Sequence, residues 1–176
     1  MKTDAELQCL ESALYKWIRP GDLEARVQNI KRQGWSVIAT SGCFDILHAG
    51  HVRFLREASM RGTWLFVLVN ADESVRRLKG PGRPIVSLSD RMEVLNALEP
   101  VGYLVAQEED TPESLLEVIR PNLWVKGGDY RHKDLPERAV IEKYGGVVQI
   151  LPYDPGHSTT ALWARLSGSL ENTDGR

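Results

Sequence analysis

The chain has 176 residues, a hydrophobic fraction of 42% and a formal net charge of −2 at pH 7. This length suits one domain with a sizeable core, and the near-neutral charge excludes a protein that attracts nucleic acid through an overall positive field. No apolar run approaches the ~20 residues that a membrane-spanning helix needs. Two cysteines are too few for a disulfide framework, and the charged N-terminal residues lack a signal-peptide core. We therefore expect a cytoplasmic protein.

Two helices are predicted before the first strand. They cover Ala5 to Trp17 and Leu23 to Gln33 and are separated by Pro20-Gly21. The first helix carries an apolar stripe at Leu7, Leu10 and Leu14. We interpret residues 1–34 as a helical extension that packs on the rest of the chain or forms a dimer. It contains no residues that indicate chemistry.

The stretch from Ser41 to His51, SGCFDILHAGH, is the most informative part of the sequence. It follows an apolar run, Trp35 to Thr40, that predicts a buried strand, and it precedes a helix. Gly42 permits a backbone turn that a side chain would block, and Gly50 lets the chain or a ligand pass close to the helix entry. The segment is typical of a strand, a tight loop and a helix start.

His48 and His51 lie three residues apart and can face one way at the N-terminus of this helix. Free backbone N–H groups and the helix dipole favour anions there, so the pair predicts a phosphate site. A metal site and an ordinary surface pair are the alternatives. No third ligand is near in sequence, and a strand–glycine–helix frame is typical of phosphate rather than zinc. Cys43 has no evident base beside it, so we interpret it as a small loop residue rather than a nucleophile.

Strands and helices alternate along the rest of the chain. The strand Thr63 to Asn70 is apolar on both faces, which indicates a parallel sheet. The alternation predicts a doubly wound, five-stranded parallel sheet. The remaining strands are predicted at Val101 to Ala106, Asn122 to Lys126 and Val147 to Leu151, and helices at Glu73 to Leu78, Ser87 to Leu98, from the cap Thr111 onward, Leu135 to Tyr144 and Ala161 to Leu166.

Three further segments are candidates for ligand contact. The loop Lys79-Gly80-Pro81-Gly82-Arg83-Pro84 is either a solvated connector or a flexible arm that brings Lys79 and Arg83 onto phosphates. Gly127-Gly128-Asp129-Tyr130 follows a strand and is either a common turn or a pocket for a base or ribose. Ser158-Thr159-Thr160 precedes a helix, where the hydroxyl groups serve as caps or hold a polyphosphate. Arg91 is either a surface charge or a phosphate ligand.

These residues carry a resemblance to a known family. Gly42-Cys43-Phe44-Asp45 followed by His48-Ala49-Gly50-His51 resembles the signature of the cytidylyltransferase-like nucleotidyltransferases. Within that group the chain is similar to the adenylyltransferases of D-glycero-β-D-manno-heptose 1-phosphate, in a stand-alone form without the sugar kinase. The likeness runs from Ser36 to Arg165 and includes the blocks Ser74 to Gly80, Gly82 to Ile85, Glu109 to Pro112 and Val125 to Tyr130.

The resemblance implies a Rossmann-like nucleotidyltransferase fold over residues 35–167, with residues 168–176 as a flexible tail. It implies transfer of AMP from ATP to a sugar 1-phosphate, which gives ADP-heptose and pyrophosphate. Mg²⁺ would be carried by the triphosphate without a metal site of the protein. ATP and the sugar 1-phosphate would be the partners, with neither nucleic acid nor membrane. The leucine stripe of the N-terminal extension, rather than the resemblance, predicts a homo-oligomer, most simply a dimer.

The resemblance also implies roles for individual residues. His48 and His51 would stabilise the transition state at the α-phosphate, and Lys79 would bind the reacting phosphates. Asp45 and Arg83 would contact the substrate. The β- and γ-phosphates would be held by Arg91, Ser158, Thr159 and Thr160, and the nucleotide pocket would be shaped by Gly42, Cys43, Phe44, Gly50, Lys126, Gly127 and Asp129. The sequence between Tyr130 and Glu142 matches the family less well and could line the sugar site.

Two rival functions share parts of this pattern. A cytidylyltransferase of glycerol 3-phosphate or another alcohol phosphate would have the same histidine motif and the same Ser-Thr-Thr run. The block Lys126 to Tyr130 favours the heptose group instead. A non-catalytic nucleotide-binding module is the second rival. The presence of His48, His51, Lys79 and Arg91 speaks against it.

Overall fold

The computed structural model describes residues 15–128 and 135–152 of the chain. Five strands form one sheet in the order β3-β2-β1-β4-β5, and each neighbouring pair is parallel. The doubly wound, five-stranded parallel sheet predicted from the sequence is therefore confirmed. The strands are β1 Val37–Gly42, β2 Trp64–Asn70, β3 Tyr103–Gln107, β4 Leu123–Gly127 and β5 Val147–Leu151.

Helices connect these strands in the way that parallel neighbours require. A short 3₁₀ turn, Pro20–Asp22, precedes the first helix. The α-helices are α1 Leu23–Arg32, α2 Ala49–Ser59, α3 Asp72–Lys79, α4 Leu88–Asn96, α5 Glu113–Ile119 and α6 Arg138–Lys143. Across the described ranges, no helix combines the length and the apolar character needed to cross a membrane.

Both faces of the sheet are buried. In β2, Phe66 and Leu68 belong to one buried cluster, and Leu65, Val67 and Val69 belong to the other, as the alternation of side chains along a strand requires. The first cluster includes side chains of α1, α5 and α6, and the second includes side chains of α2 and α4. The helices thus cover the sheet from both sides, with the two cores between the layers.

The predicted first helix is wrong at its described end. Trp17 forms a parallel bridge with Leu104 of β3. The Leu104 N–H donates to the Lys16 carbonyl at 2.8 Å, and the Ile18 N–H donates to the Leu104 carbonyl at 2.9 Å. These hydrogen bonds satisfy backbone groups that the edge strand would otherwise leave open, which favours an extended chain here. The leucine stripe at residues 7–14 lies outside the described residues.

Other boundaries differ from prediction in smaller ways. β1 begins at Val37 rather than Trp35 and continues through Ser41 and Gly42, so the histidine motif starts inside the strand. The predicted Thr111 cap is wrong, because α5 begins at Glu113 after Pro112 and has no side-chain cap. The cap predicted at Ser87 is confirmed, since its hydroxyl accepts from the backbone N–H of Asp90 at 3.2 Å.

The strand order reverses beside β1, and a crevice opens there. Registered pairs between β1 and β4 are Ile38 with Leu123 and Ala39 with Trp124. Both strands run on past these pairs to Gly42 and Gly127. The two carboxyl ends therefore separate at the point where the sheet changes direction, which is where doubly wound folds bind ligands.

Candidate active site

The loop after β1 is shaped by a close contact between Gly42 and Phe44. Phe44 has a φ of 49°, a left-handed conformation that is uncommon for a residue with a side chain. A Cβ atom at Gly42 would lie 3.1 Å from the Phe44 ring. A side chain at position 42 would therefore crowd this ring, as predicted, and the residue of the loop with a positive φ is Phe44.

The two histidines of the motif lie together at the start of α2. His48 is the N-cap residue in an extended conformation, and its carbonyl accepts from the His51 N–H at 2.9 Å. The two imidazole rings stack with their centroids 3.9 Å apart. Gly50 lies in the first turn of the same helix. The prediction that both histidines face one way at a helix N-terminus is therefore confirmed.

His51 is neutral at physiological pH. Burial, with a smaller effect from the charge that His48 can carry, lowers the pKa of His51 from 6.5 to about 4. The ring also lies 5.4 Å from the Phe44 ring, between centroids. A neutral imidazole keeps one N–H donor, so His51 can donate one hydrogen bond without carrying charge.

Asp45 attaches the loop between α3 and α4 to the motif. Its side chain is buried, and Oδ1 accepts from the backbone N–H groups of Ile85 at 2.8 Å and Val86 at 2.9 Å. Oδ2 accepts from Nε of Arg83 and forms an ion pair with it. The structure therefore brings Asp45 and Arg83 together as partners of each other, and their predicted contact with substrate stays a prediction.

Arg91 lies inside the protein, where it holds three backbone segments. Its side chain is 1% exposed, so the surface-charge alternative is wrong. Nε donates to the Val86 carbonyl at 3.0 Å, and Nη1 donates to the carbonyls of Asn70, at 2.8 Å, and Cys43. Nη2 donates to Asp72 at 2.7 Å. Four of the five N–H donors of a guanidinium are thus committed to the protein.

Several charged side chains lie near the Cys43 thiol and affect its pKa. Burial raises the pKa of the Cys43 thiol, and the nearby positive charges of Lys79, Arg91 and Arg83 oppose that rise. The thiol therefore stays protonated, which agrees with the loop-residue interpretation rather than a nucleophile. Lys79 ends α3, is exposed, and has no ion-pair partner in the part of the chain that the structure describes.

The opposite wall of the crevice is the end of β4. A Cβ atom at Gly127 would lie 3.1 Å from the ring of Phe54, so the glycine lets α2 pack close to this strand. Lys126 reaches across the crevice, and its ammonium donates to the Ser41 hydroxyl at 2.9 Å. The predicted residues Asp129, Ser158, Thr159 and Thr160 lie outside the described residues.

Two acids of this region escaped the sequence analysis. Asp72 pairs with Arg91 and begins α3, just after the carboxyl end of β2. An acid at the end of a parallel strand is a recognisable signal for a site residue. Glu137 is buried, and its Oε1 lies 3.2 Å from the Lys126 ammonium. Nothing in its local sequence points to this role, because Lys126 and Glu137 meet only through the fold.

The chain is similar to known proteins over most of its length. The model of the cytidylyltransferase-like family matches residues 39–165. The bifunctional protein HldE of Streptomyces coelicolor is 51% identical over 146 residues, which are 83% of this chain and 31% of that protein. The bifunctional protein HldE of Alcanivorax borkumensis is 48% identical over 140 residues, 80% of this chain and 29% of that protein. The chain thus spans less than a third of the length of these relatives.

A solved structure shares the fold. The lipopolysaccharide core biosynthesis protein of Thermoplasma volcanium superposes with a TM-score of 0.58 at 26% sequence identity. The match covers 69% of this chain and 98% of that protein.

Proposed function

Because the chain belongs to the cytidylyltransferase-like family, we propose that it transfers AMP from ATP to a sugar 1-phosphate and releases pyrophosphate. D-glycero-D-manno-heptose 1-phosphate is the proposed sugar, and ADP-heptose for lipopolysaccharide or a related glycan is the product. The observation that carries the proposal is the stacked pair of His48 and His51 at the crevice between β1 and β4. The similarity to HldE proteins and to a lipopolysaccharide core biosynthesis protein supports the choice of sugar.

The reaction needs positive charge more than it needs a base. A sugar phosphate is mostly dianionic at neutral pH because its second pKa is ~6. Its oxygen attacks the α-phosphorus of ATP, a P–O bond forms, and the bond to the β-phosphate breaks. The obstacle is the approach of two anions and the departure of pyrophosphate with added charge. Positioning and electrostatic stabilisation are therefore the catalytic requirements.

The described residues divide these tasks. His48 and His51 donate to the α-phosphate as charge develops, and Lys79, at the end of α3, binds the reacting phosphates. Arg83 lies on the loop that Asp45 attaches to the motif, so it approaches the same phosphates. The Ser158-Thr159-Thr160 run and Asp129 keep their proposed phosphate and nucleotide contacts.

We assign Arg91 a different role from the one that the sequence suggested. With four donors on protein groups, it holds the Cys43 carbonyl and the Val86 carbonyl in fixed positions. We propose that Arg91 shapes the motif loop and the loop after α3 rather than binding the β- and γ-phosphates. It is a positioning residue for His48, His51 and Lys79.

The proposal includes Mg²⁺ as an ion bound to the triphosphate of ATP. Bound there, it would neutralise charge on the leaving pyrophosphate. Asp45 and Asp72 are the acids that the structure places beside the motif, and both are paired with guanidinium groups. For this reason we assign no step of the reaction to a metal held by these residues.

We further propose that the protein works as a homodimer in the cytoplasm, where ATP is supplied. Size-exclusion chromatography with light scattering checks the dimer directly. The leucine stripe at residues 7–14 suggests where to disrupt it.

A substrate screen tests the proposed function. The purified protein is incubated with ATP or CTP and with a panel of acceptors: several sugar 1-phosphates, both anomers of heptose 1-phosphate, and glycerol 3-phosphate. Pyrophosphate release gives the rate, and mass spectrometry identifies the nucleotide product. We expect ADP-heptose from ATP and heptose 1-phosphate as the fastest reaction.

Other outcomes would select a rival. CDP-glycerol formed faster than any nucleotide sugar would make the protein a glycerol phosphate cytidylyltransferase. ATP binding without turnover on every acceptor would make it a nucleotide-binding module.

A further inference from the structure

A buried ion pair joins β4 to the residue before α6. The ammonium of Lys126, on β4, lies 3.2 Å from Oε1 of Glu137, the residue that precedes α6. The side chains are 15% and 6% exposed. The same ammonium donates to the hydroxyl of Ser41, on β1, at 2.9 Å. One cation is therefore held between an acid of the β4–α6 connection and a hydroxyl of the opposite strand.

The pair is not a simple stabilising contact. Oε2 of Glu137 is buried and has no hydrogen-bond partner among the described residues. A buried acceptor without a partner is unfavourable, and a buried ion pair often stabilises no more than apolar residues of the same size. Buried polar atoms without hydrogen-bond partners are rare in native proteins, and they occur mainly at functional sites.

The position of Lys126 supplies that function. An ammonium group has three N–H donors. Among the described residues, Ser41 and Glu137 account for two of them, and the ammonium also lies 5.2 Å from the centroid of the Trp124 ring. The strands part between Ala39 and Gly42 on one side and between Trp124 and Gly127 on the other. The Lys126 ammonium joins the ends of the two strands through its bond to Ser41, and the carboxyl ends at this switch point are where a doubly wound fold places its ligand. A third donor on a fixed cation suits an oxygen of a phosphate group.

We propose that Glu137 is a positioning residue that, with Ser41, holds Lys126 in the crevice so that its ammonium contacts a phosphate of the bound substrates. This inference rests on the proposed nucleotidyl transfer and adds a residue to it. Glu137 acts through Lys126: its carboxylate, 3.2 Å from the ammonium, orients that group at the ends of the two strands. The phosphate belongs either to ATP or to the sugar phosphate.

A double-mutant cycle on the full chain tests the coupling. Glu137→Gln keeps the shape of the side chain and removes its charge, and Lys126→Met removes the cation. We expect each single variant to lower kcat/KM about 10- to 100-fold, the range for a hydrogen bond to a charged group. The double variant should be no worse than Lys126→Met, because Glu137 then has nothing to position. Losses that multiply would overturn the proposal.

The KM values identify the phosphate. KM for ATP and KM for the sugar phosphate are measured separately, and Glu137→Gln should raise one of them more than it lowers kcat. A fall in kcat alone with both KM values unchanged would contradict a contact with bound substrate.

Two further variants control for a general effect of losing an acid and for a failure of Glu137→Gln to fold. Glu57→Gln changes an acid of α2 that pairs with Arg61 and is 47% exposed, so it should leave kcat/KM within about twofold of wild type, as for other exposed pairs. If Glu137→Gln does not fold, Ser41→Ala removes the other anchor of Lys126 instead. Its loss should also vanish in the Lys126→Met background, and a loss that persists there would count against the proposal.

Titration calorimetry with ATP and with inorganic phosphate separates this inference from the proposed function. If the wild type makes no nucleotide sugar but Glu137→Gln weakens binding only when Lys126 is present, the function fails and the inference stands. If the wild type makes ADP-heptose and Glu137→Gln matches it in rate and in binding, the inference fails and the function stands.

Discussion

The rings of His48 and His51 stack with centroids 3.9 Å apart and an angle of 27° between their planes. The stacking follows from the helix start, because His48 is the N-cap and His51 lies one turn later in α2. The stacking keeps the two imidazoles side by side beyond the end of β1. The proposed contact of both histidines with one phosphate group requires this arrangement.

Replacement of either histidine should reduce turnover strongly. His48→Ala and His51→Ala each remove a donor aimed at the developing charge, and we expect kcat to fall ~10²–10³-fold, as for other oxyanion-stabilising groups. Pyrophosphate release at saturating substrate measures the loss. Met60→Ala, at the exposed end of α2, is the matched control. Rates near wild type in both histidine variants would refute the roles assigned to them.

His51 should make the folded protein less stable in acid. Its pKa is about 4 when folded, against an ordinary value of 6.5. Between these values the unfolded chain binds a proton that the folded chain does not, so the free energy of unfolding falls as pH falls through this window. The contribution reaches at most about 3.5 kcal/mol, from about 1.4 kcal/mol per pKa unit. Below about pH 4 both states are protonated and the loss is complete.

Urea unfolding of the wild type and of His51→Gln, at several pH values from 4 to 7, checks this expectation. The wild type should lose more stability across the window than the variant does. Curves that stay parallel would show that the histidine is not buried in neutral form.

Asp45→Asn should loosen the loop that follows α3. The carboxylate accepts from Ile85, Val86 and Arg83, and an amide cannot replace all of these contacts or pair with the guanidinium. We expect the free energy of unfolding to drop by about 3 kcal/mol, as when a buried ion pair loses one partner. kcat/KM should fall as well, because Lys79 and Arg83 flank the released loop.

Asp110→Asn provides the comparison. Asp110 pairs with Arg77 at 2.7 Å, but both side chains are well exposed, at 41% and 50%. Its urea midpoint and activity should stay close to those of the wild type. An Asp45→Asn variant as stable and active as Asp110→Asn would show that the loop is not held by the acid.

Arg91→Lys should destabilise the protein although it preserves the charge. A lysine has no planar fork, so it cannot reach the Cys43, Asn70 and Val86 carbonyls and Asp72 together. We expect a loss of about 3–6 kcal/mol in urea unfolding, equivalent to two broken hydrogen bonds to a charged group.

The kinetic effect distinguishes positioning from direct binding. If Arg91 shapes the loop, Arg91→Lys should lower kcat with little change in KM for ATP. A large rise in KM for ATP with unchanged stability would instead restore Arg91 as a phosphate ligand. Arg77→Lys, in an exposed pair with Asp110, serves as the control.

The sequence alone determined the layers of the fold and the location of the histidine site. Continuous apolar runs such as β2 are recognisable because a strand buried on both faces leaves no polar position, and alternation with helices then requires a parallel sheet. The histidine motif could also be recognised from the sequence, because its residues are neighbours along the chain. The glycines and the helix start that shape it lie in the same short segment. Local features of this kind depend on few distant contacts.

Tertiary structure decided which polar groups serve substrate and which serve each other. Arg91 and Asp45 looked available in the sequence, yet the fold commits them to Asp72 and Arg83. Glu137 was invisible because it meets Lys126 only after β4 and the start of α6 have packed together. Likewise, an extended chain at Trp17 needs the open edge of β3. Charged groups pair when they are close in space. Sequence spacing predicts that closeness only within one turn of a helix or between alternate residues of a strand.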